Sequence, residues 1–296
     1  MKELVVISGK GGTGKTSITA AFASLAQDFV LADCDVDAAD LHLVMNPKIN
    51  NKQDFSGGRQ AVIKAGECIG CGVCFDMCRF GAISLNGPAN ETINKTYTVD
   101  PVSCEGCNVC VEFCPVGAIE FKDAINGQWF ISETRFGPMV HAKLGIAQEN
   151  SGKLVTLIRK EAKRIAEEQI KNLLIVDGSP GIGCPVIASI AGADLVLVVT
   201  EPTLSGIHDL DRVMQLTSNF GIKTLVCINK ADINLEMTER IEEESQAKGT
   251  KVIGKIPYDE SFTKAQIMRA TLIEYTGGEI AEKVKSMYRE IIYALG

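Results

Sequence analysis

Short, mostly apolar runs alternate along most of the chain with segments in which apolar residues recur every three or four positions. The runs are typical of buried strands, contain charged residues only in the last three, and cover residues 4–7, 29–32, 173–176, 193–200, 223–228 and 251–257. The segments with helical spacing cover residues 17–26, 154–169, 205–220 and 279–295. Strands that alternate with helices in this way predict an α/β fold built on a doubly wound, mostly parallel sheet.

A glycine-rich loop, Gly9 to Thr16, connects the first apolar run to the first helical segment. Glycines let backbone N–H groups close on an anion, and the helix N-terminus adds its dipole, so this context predicts a phosphate-binding loop. We expect Lys15 to reach the β- and γ-phosphates and the Thr16 hydroxyl to hold Mg²⁺. The nucleotide contacts predicted in the loop are Gly11, Gly12, Thr13, Gly14, Lys15, Thr16 and Ser17.

Lys10, the second lysine of the loop, makes the sequence resemble the deviant Walker A motif of the MinD/ParA/Mrp class of P-loop ATPases, to which the nitrogenase iron protein also belongs. In that class the early lysine crosses a nucleotide-sandwiched dimer and touches the partner's phosphates. The resemblance implies a Mg²⁺-dependent ATPase with Lys10 and Lys15 as catalytic residues, and a homodimer when ATP is bound. A solvated lysine at the loop edge is the alternative.

Acidic residues follow two of the predicted strands, and doubly wound sheets bind ligands at the carboxyl ends of their strands. Asp33, Asp35 and Asp37 follow the second strand, and Asp177 ends the run 173–176 as in a Walker B motif. We expect Asp33 and Asp177 to support Mg²⁺. By resemblance to the family's switch I, Asp35 orients the attacking water, whereas Asp37 alternatively caps the next helix.

Three residues at later strand ends are predicted to contact the nucleotide base. Asn229 and Lys230 follow the strand 223–228, and Pro257 ends the last strand. The resemblance implies that the asparagine recognises adenine and that the lysine stem lies along the ring. Because Asp232 completes an Asn-Lys-x-Asp pattern, guanine stays open as an alternative.

Eight of the eleven cysteines form two runs with the same spacing, 36 residues apart. This duplication closely resembles bacterial two-cluster ferredoxins, in which three cysteines of a run bind one cube and the fourth binds the other. The first 4Fe–4S cluster is therefore assigned to Cys68, Cys71, Cys74 and Cys114. The second is assigned to Cys78, Cys104, Cys107 and Cys110. Arg79 departs from the family, which usually has proline there. Zinc sites and disulfides are the alternatives.

Three cysteines lie outside these runs. Cys184 comes seven residues after Asp177, where the nitrogenase iron protein has a ligand of a cluster shared across its dimer, so a redox or interface role is considered. A small buried apolar side chain is the alternative for Cys184. Cys34 and Cys227 lie in apolar strands and are predicted to belong to the core.

A polar, glycine-containing stretch at residues 46–58 interrupts the strand–helix pattern and predicts a boundary. We divide the chain into a first ATPase part (1–56), an inserted α+β ferredoxin-like module (57–124) and a second ATPase part (125–296). The formal charge of −7 gives no reason to expect nucleic acid as a partner. Without a membrane-length apolar run, a signal peptide or a basic amphipathic end helix, we expect a cytoplasmic protein with no membrane anchor.

Two functions follow from these features. The first is an ATP-hydrolysing iron–sulfur protein that couples nucleotide state to electron transfer or to assembly of a cluster or cofactor, with a redox partner or client metalloprotein. The alternative is a MinD/ParA-like ATP-dependent switch that recruits a protein partner, with clusters that serve structure or redox sensing. A simple electron carrier on an inactive ATPase conflicts with the intact Lys15, Thr16, Asp35 and Asp177.

Overall fold

The computed structural model describes residues 1–145 and 150–296, which divide into two compact units. The first unit contains residues 1–53, 129–143 and 151–296. The second contains residues 54–128 together with 144, 145 and 150. Most of the second unit is therefore one continuous segment, residues 54–128, inserted between two parts of the first unit.

The regular elements of the described residues follow the alternation seen in the sequence. The strands are β1 (Lys2–Ser8), β2 (Phe29–Asp33), β3 (Lys48–Ile63), β4 (Ile83–Ser84), β5 (Thr98–Val99), β6 (Ile119–Glu133), β7 (Pro138–Leu144), β8 (Leu173–Pro180), β9 (Leu195–Thr200), β10 (Lys223–Asn229) and β11 (Lys251–Ile256). The helices are α1 (Lys15–Leu25), α2 (Leu41–Met45), α3 (Val73–Met77), α4 (Val109–Glu112), α5 (Ser151–Glu168), α6 (Cys184–Ile190), α7 (Leu204–Asn219), α8 (Leu235–Ala247), α9 (Ser261–Ile267), α10 (Leu272–Tyr275) and α11 (Glu279–Leu295).

The sheet of the first unit has the strand order β11-β10-β9-β1-β8-β2-β7, and β6 and β3, which continue into the second unit, complete the order. β1 lies at its centre and pairs in parallel with both neighbours, so that Val5 stands opposite Val176 on one side and Val196 on the other. β2, β9 and β10 also pair in parallel with their neighbours. The predicted doubly wound, mostly parallel sheet is therefore confirmed.

The core explains why the strands read as uninterrupted apolar runs. Leu4, Val5, Val6 and Ile7 have no exposed surface, as expected for a parallel strand covered on both faces. Leu4 and Val6 belong to one cluster with Phe22 of α1 and with apolar residues of α11. This packing fixes the carboxyl end of β1, from which the glycine-rich loop leaves.

The polar stretch predicted as a boundary lies largely in a strand. α2 ends at Met45, the following residue Asn46 adopts a left-handed conformation with φ of 46°, and β3 begins at Lys48. The first seven residues of β3 are exposed. A polar segment can form a strand here, because strand pairing satisfies the backbone hydrogen bonds whatever the polarity of the side chains. The helix after the aspartate-rich loop begins at Leu41, so the expectation that Asp37 caps it is wrong.

The second unit repeats its backbone as well as its cysteines. α3 and α4 each begin after a residue in the left-handed region, Gly72 with φ of 78° and Asn108 with φ of 66°. Gly81 and Gly117, three residues after the last cysteine of each run, have φ of 64° and 65°. The duplication therefore extends to local conformation.

A small core and a two-stranded sheet complete the second unit. Ile83 of β4 pairs antiparallel with Val99 of β5. The core holds Ala61, Cys74, Ile83 and Ile119. No helix in residues 1–145 and 150–296 is both long and apolar enough to cross a membrane.

Candidate functional site

The glycine-rich loop lies between β1 and α1, as its sequence predicts. Gly14 caps α1 with φ of 88°, a left-handed conformation that glycine adopts without a Cβ clash. A Cβ at this position would stand 2.4 Å from Nδ2 of Asn229. That amide donates to the Thr13 carbonyl at 2.8 Å, so the loop is braced by the end of β10.

Lys15 is the centre of a buried ion-pair group at the carboxyl ends of β1, β2 and β8. Its Nζ lies 2.8 Å from Oδ1 of Asp177 and 3.3 Å from Oδ2 of Asp35. Asp177 also accepts hydrogen bonds from the hydroxyls of Thr16 at 2.8 Å and Thr19 at 3.0 Å. The structure thus brings together the phosphate-loop lysine, the threonine hydroxyl predicted to hold Mg²⁺, the Walker B aspartate and the aspartate predicted to orient water.

The charges of this group are strongly coupled. Burial lowers the pKa of Lys15, but the carboxylates of Asp177 and Asp35 outweigh it, and the net pKa is raised. Burial and the neighbouring Asp177 raise the pKa of Asp33 well above its usual range. Burial also raises the pKa of Asp35. The site thus disfavours the ionised forms of Asp33 and Asp35, and a bound cation would favour them.

Two buried oxygens in this region have no hydrogen-bond partner among the described residues: Thr13 Oγ1 and Asp33 Oδ2. An unpaired buried acceptor is costly, so both atoms fit a site that gains polar partners when a ligand binds. Within residues 1–145 and 150–296, no group of three or more His, Cys, Asp or Glu side chains converges on a single metal position. Mg²⁺ fits this arrangement nonetheless, because it commonly uses one or two protein ligands and takes the rest from phosphates and water.

A cavity of about 420 Å³ runs from the phosphate loop toward the predicted base-binding residues. Asp35, Asn229, Lys230 and Pro257 all line it together with the loop. Asn229 is 6% exposed, and its Oδ1 accepts from the Lys230 backbone, so both ends of its amide are engaged within the chain. The cavity is thus lined both by the phosphate loop and by the residues predicted to contact the base, as binding of a nucleoside triphosphate requires.

Sequence reasoning missed part of this cavity. Tyr258 and Phe262 line it after Pro257, and Gln266 on α9 donates to the Ser17 hydroxyl at 2.8 Å. The only signal was their position just after the proline at the end of β11, because no motif marks them. Tyr258 is 57% exposed, so an aromatic ring stands at the mouth of the cavity.

The segment after Asp177 is hydrogen-bonded to the ends of two neighbouring strands. The Ser179 hydroxyl donates to the Cys34 carbonyl at 2.6 Å, and the Gly181 amide donates to the Ser8 carbonyl at 2.8 Å. Burial raises the pKa of the Cys34 thiol well above its usual range. Cys34 and Cys227 are fully buried, as predicted, whereas Cys184 is exposed at the start of α6, and the default expectation of a buried side chain is wrong for it.

Lys10 does not project freely from the loop. Its Nζ lies 2.6 Å from Oε1 of Glu201 and within 3.3 Å of the Thr203 and Ser205 hydroxyls. The other oxygen of Glu201 accepts from Lys230 at 2.9 Å. The alternative of a solvated lysine therefore does not describe the structure, and Glu201 is a residue that no sequence motif had singled out.

The eight run cysteines of the second unit line two separate cavities. One is lined by Cys78, Cys104, Cys107 and Cys110, and the other by Cys68, Cys71, Cys74 and Cys114. These are the two sets assigned from the sequence, each with three cysteines of one run and the fourth of the other. All eleven cysteines are free, which removes the disulfide alternative.

The cysteine cavities give no support to the zinc alternative. Zinc draws four ligands to one point, and the described residues contain no group that converges in this way. Thiolates around an iron–sulfur cube instead stand apart on its corners. Burial raises the pKa of the Cys74 thiol to about 11, so the protein alone does not favour a thiolate there.

Comparison with known proteins shows the family of the chain. The model of the CobQ/CobB/MinD/ParA nucleotide-binding domain matches residues 4–272. The chain belongs to this family. An uncharacterised protein of Methanocaldococcus jannaschii is 32% identical over 292 residues, which cover 98% of this chain and 96% of that protein.

Solved structures of the family share the fold. The cell division ATPase MinD of Pyrococcus furiosus matches with a TM-score of 0.59 at 15% identity, over 99% of this chain and 98% of that one. MinD in the MinC:MinD cell division complex of Aquifex aeolicus matches with a TM-score of 0.58 at 17% identity, over 99% and 96%. The chain thus carries a nucleotide-binding domain of the CobQ/CobB/MinD/ParA family and shares the fold of MinD.

Proposed function

We propose that this protein is an ATP-dependent molecular switch that hydrolyses ATP with Mg²⁺, forms a homodimer when ATP is bound, and recruits a protein partner in one nucleotide state. One observation carries the proposal: Lys15, Asp35 and Asp177 meet within 3.3 Å at the carboxyl ends of three adjacent strands. This arrangement supplies a phosphate-binding cation and two carboxylates in one buried place. The MinC:MinD complex, whose MinD subunit shares this fold, supports a partner-recruiting role.

Each residue has a stated part. Lys15 would exchange its contact with Asp177 for the β- and γ-phosphates, while Thr16 and Asp177, already 2.8 Å apart, would hold Mg²⁺ between them. Asp33 would support that ion, with its unpaired oxygen as the available acceptor. Asp35 would orient the attacking water and accept its proton. Asn229, Lys230 and Pro257 would hold the base at the other end of the cavity.

Two neighbouring aspartates of one loop provide the test. We expect Asp35→Asn to lower kcat for ATP hydrolysis by about 100-fold or more while ATP binding persists. Asp37→Asn removes the same charge two residues away, from an exposed side chain outside the cavity lining, and should hydrolyse ATP like the parent. Equal hydrolysis by the parent and Asp35→Asn protein would contradict the role given to Asp35.

A second function is favoured by the two cavities of the second unit. Their lining supports two 4Fe–4S clusters, one on Cys68, Cys71, Cys74 and Cys114 and the other on Cys78, Cys104, Cys107 and Cys110. Such clusters supply one-electron transfer when bound. On this proposal the protein couples its nucleotide state to electron transfer or cluster assembly, with a redox partner or client metalloprotein as acceptor.

The path of the chain supports this coupling. α2 follows the loop that carries Asp35 and leads through β3 to the first cysteine run, while β6 leads back from the second run to Arg135. Arg135 donates to the carbonyls of Val44 and Met45 at the end of α2, at 3.1 Å each. The segments that enter and leave the cysteine-bearing unit therefore meet at α2.

Iron content and reduction potential test this second function. Anaerobically purified protein should contain about eight iron atoms per chain, four in each cluster. Cys71→Ser and Cys107→Ser should each lose about half of that iron, whereas Cys184→Ser, the control outside the two sets, should lose none. A non-hydrolysed ATP analogue should shift a cluster potential by about 60 mV or more, a tenfold change for one electron. Full iron with identical potentials would favour clusters that serve structure or sensing only.

A further inference from the structure

Glu201 joins the two lysines that serve opposite ends of the nucleotide cavity. It follows β9 directly and precedes α7, and its two carboxylate oxygens are each occupied, Oε1 by Lys10 at 2.6 Å and Oε2 by Lys230 at 2.9 Å. Lys10 comes from the phosphate loop, whereas Lys230 follows β10. One carboxylate therefore links the phosphate loop, the segment after β9 and the segment after β10 at the ligand-binding end of the sheet.

This contact is more than an ordinary surface ion pair. The Glu201 side chain is 15% exposed and each lysine is 30% exposed, so water competes less than at a free surface. Burial raises the pKa of Glu201, but the two ammonium groups outweigh it and the net pKa is lowered, which keeps the carboxylate ionised. Charge-assisted hydrogen bonds of this kind are stronger than neutral ones.

Neighbouring polar groups hold each lysine further. The Thr203 hydroxyl, which caps α7 by accepting from the Gly206 amide at 3.0 Å, lies 3.3 Å from the Lys10 ammonium. The Ser205 hydroxyl lies 3.2 Å from it. Lys230 lies 3.4 Å from the Gly12 carbonyl of the phosphate loop. Lys10 is thus folded onto its own chain by three groups around the start of α7.

We propose that Glu201 is a positioning residue that retains Lys10 within its own subunit until ATP binds, while it keeps Lys230 beside the phosphate loop. The inference rests on the proposed function, because Lys10 matters to a second copy only if ATP brings two copies together. For Lys10 to reach a partner's phosphates it must first leave Glu201. Glu201 would then still hold Lys230, so the base-binding end keeps its geometry while Lys10 is released.

The consequence is a threshold for association. The free energy that holds Lys10 on Glu201 in the separate subunit opposes any state in which Lys10 contacts a partner. Removing the charge of Glu201 should therefore favour the ATP-bound dimer without any change in the residues that contact phosphate. We expect Glu201→Gln to dimerise at about three- to tenfold lower concentration of a non-hydrolysed ATP analogue than the parent.

The experiment measures dimer formation by analytical ultracentrifugation over a series of analogue concentrations. Glu201→Asp, which keeps the charge, should restore part of the parent threshold. Glu236→Gln removes one charge from an exposed position of α8 and should behave like the parent. In a Lys10→Ala background, Glu201→Gln should no longer lower the threshold, because the restraint acts through Lys10.

A second measurement reads the contact without a dimer. Reductive methylation of nucleotide-free protein, followed by mass spectrometry, should modify Lys10 several-fold faster in Glu201→Gln than in the parent, with the exposed Lys122 as internal reference. Two results would overturn the role given to Glu201. One is the same Lys10 reactivity in Glu201→Gln as in the parent, and the other is the same dimerisation threshold in Glu201→Gln as in a parent that does dimerise. A parent that hydrolyses no ATP and forms no dimer would instead contradict the proposed function, and the reactivity of Lys10 would still decide the contact itself.

Discussion

Arg135 lies in the turn between β6 and β7, and its replacement should loosen α2 far more than the rest of the protein. Its guanidinium forms a bidentate pair with Glu274, at 2.6 and 2.7 Å, and donates to the carbonyls of Val44 and Met45. These carbonyls belong to the last turn of α2, where no helical N–H remains to satisfy them. The prediction is therefore local: Arg135→Ala should free the C-terminal end of α2.

The size of the effect follows from these contacts. The Arg135 and Glu274 side chains are each 33% exposed, so the ion pair contributes only about 1 kcal/mol. The two bonds to α2 come from a charged donor but are partly solvated, and together they contribute about 1–2 kcal/mol. The sum of about 2–3 kcal/mol corresponds to about 30- to 150-fold in a local opening equilibrium.

Hydrogen exchange measures that opening directly. The amides of Leu43 and Asn46, which bond to Asp40 and His42, should exchange about 30- to 150-fold faster in Arg135→Ala. Arg135→Lys, which cannot form the bidentate pair, should be intermediate. Arg240→Ala removes an arginine that is 54% exposed and paired with Glu244, and should leave α2 unchanged. If α2 exchanges at the parent rate in Arg135→Ala, Arg135 does not hold the end of this helix.

Two further predictions concern the phosphate loop and the pH dependence of stability. Gly14→Ala should abolish ATP binding measured by calorimetry, because its Cβ would lie 2.4 Å from Asn229 in a left-handed backbone, whereas Gly277→Ala, with open space around its methyl, should bind ATP normally. Burial and the nearby His42 lower the pKa of His141 to about 4, so its neutral form stabilises the fold above pH 6.5 and that contribution is lost as the pH falls toward 4. The loss in the free energy of unfolding should amount to about 3 kcal/mol, from about 1.4 kcal/mol per unit of pKa shift. Denaturant unfolding at pH 7 and pH 4.5 should therefore show a smaller effect of pH in His141→Gln than in the parent. An equal effect in both proteins would contradict the assignment.

The sequence predicted the features that local pattern determines. A glycine-rich loop after a buried strand, with aspartates at the ends of two more strands, suffices to place Lys15, Asp35 and Asp177 together, because parallel strands bring their carboxyl ends to one edge. The cysteine runs were equally readable, since their spacing and its resemblance to two-cluster ferredoxins assigned the two sets that line separate cavities. The family match then confirms the class of ATPase implied by Lys10.

The remaining features depend on contacts between distant parts of the chain. Arg135 and Glu274 are 139 residues apart, and neither belongs to a motif. Glu201 is a single acidic residue after an apolar strand, and only the folded structure shows that Lys10 and Lys230 both reach it. Cys184 illustrates the opposite error: an apolar default predicted burial, but the start of α6 leaves the side chain exposed.

The mass of the protein in two nucleotide states tests the central claim of an ATP-driven switch most directly. Light scattering should be recorded under anaerobic conditions on Asp35→Asn protein, in which bound ATP is retained, with Mg²⁺ and either ATP or ADP. The account predicts twice the monomer mass of 31.8 kDa with ATP and the monomer mass with ADP. The same mass in both nucleotides would contradict it.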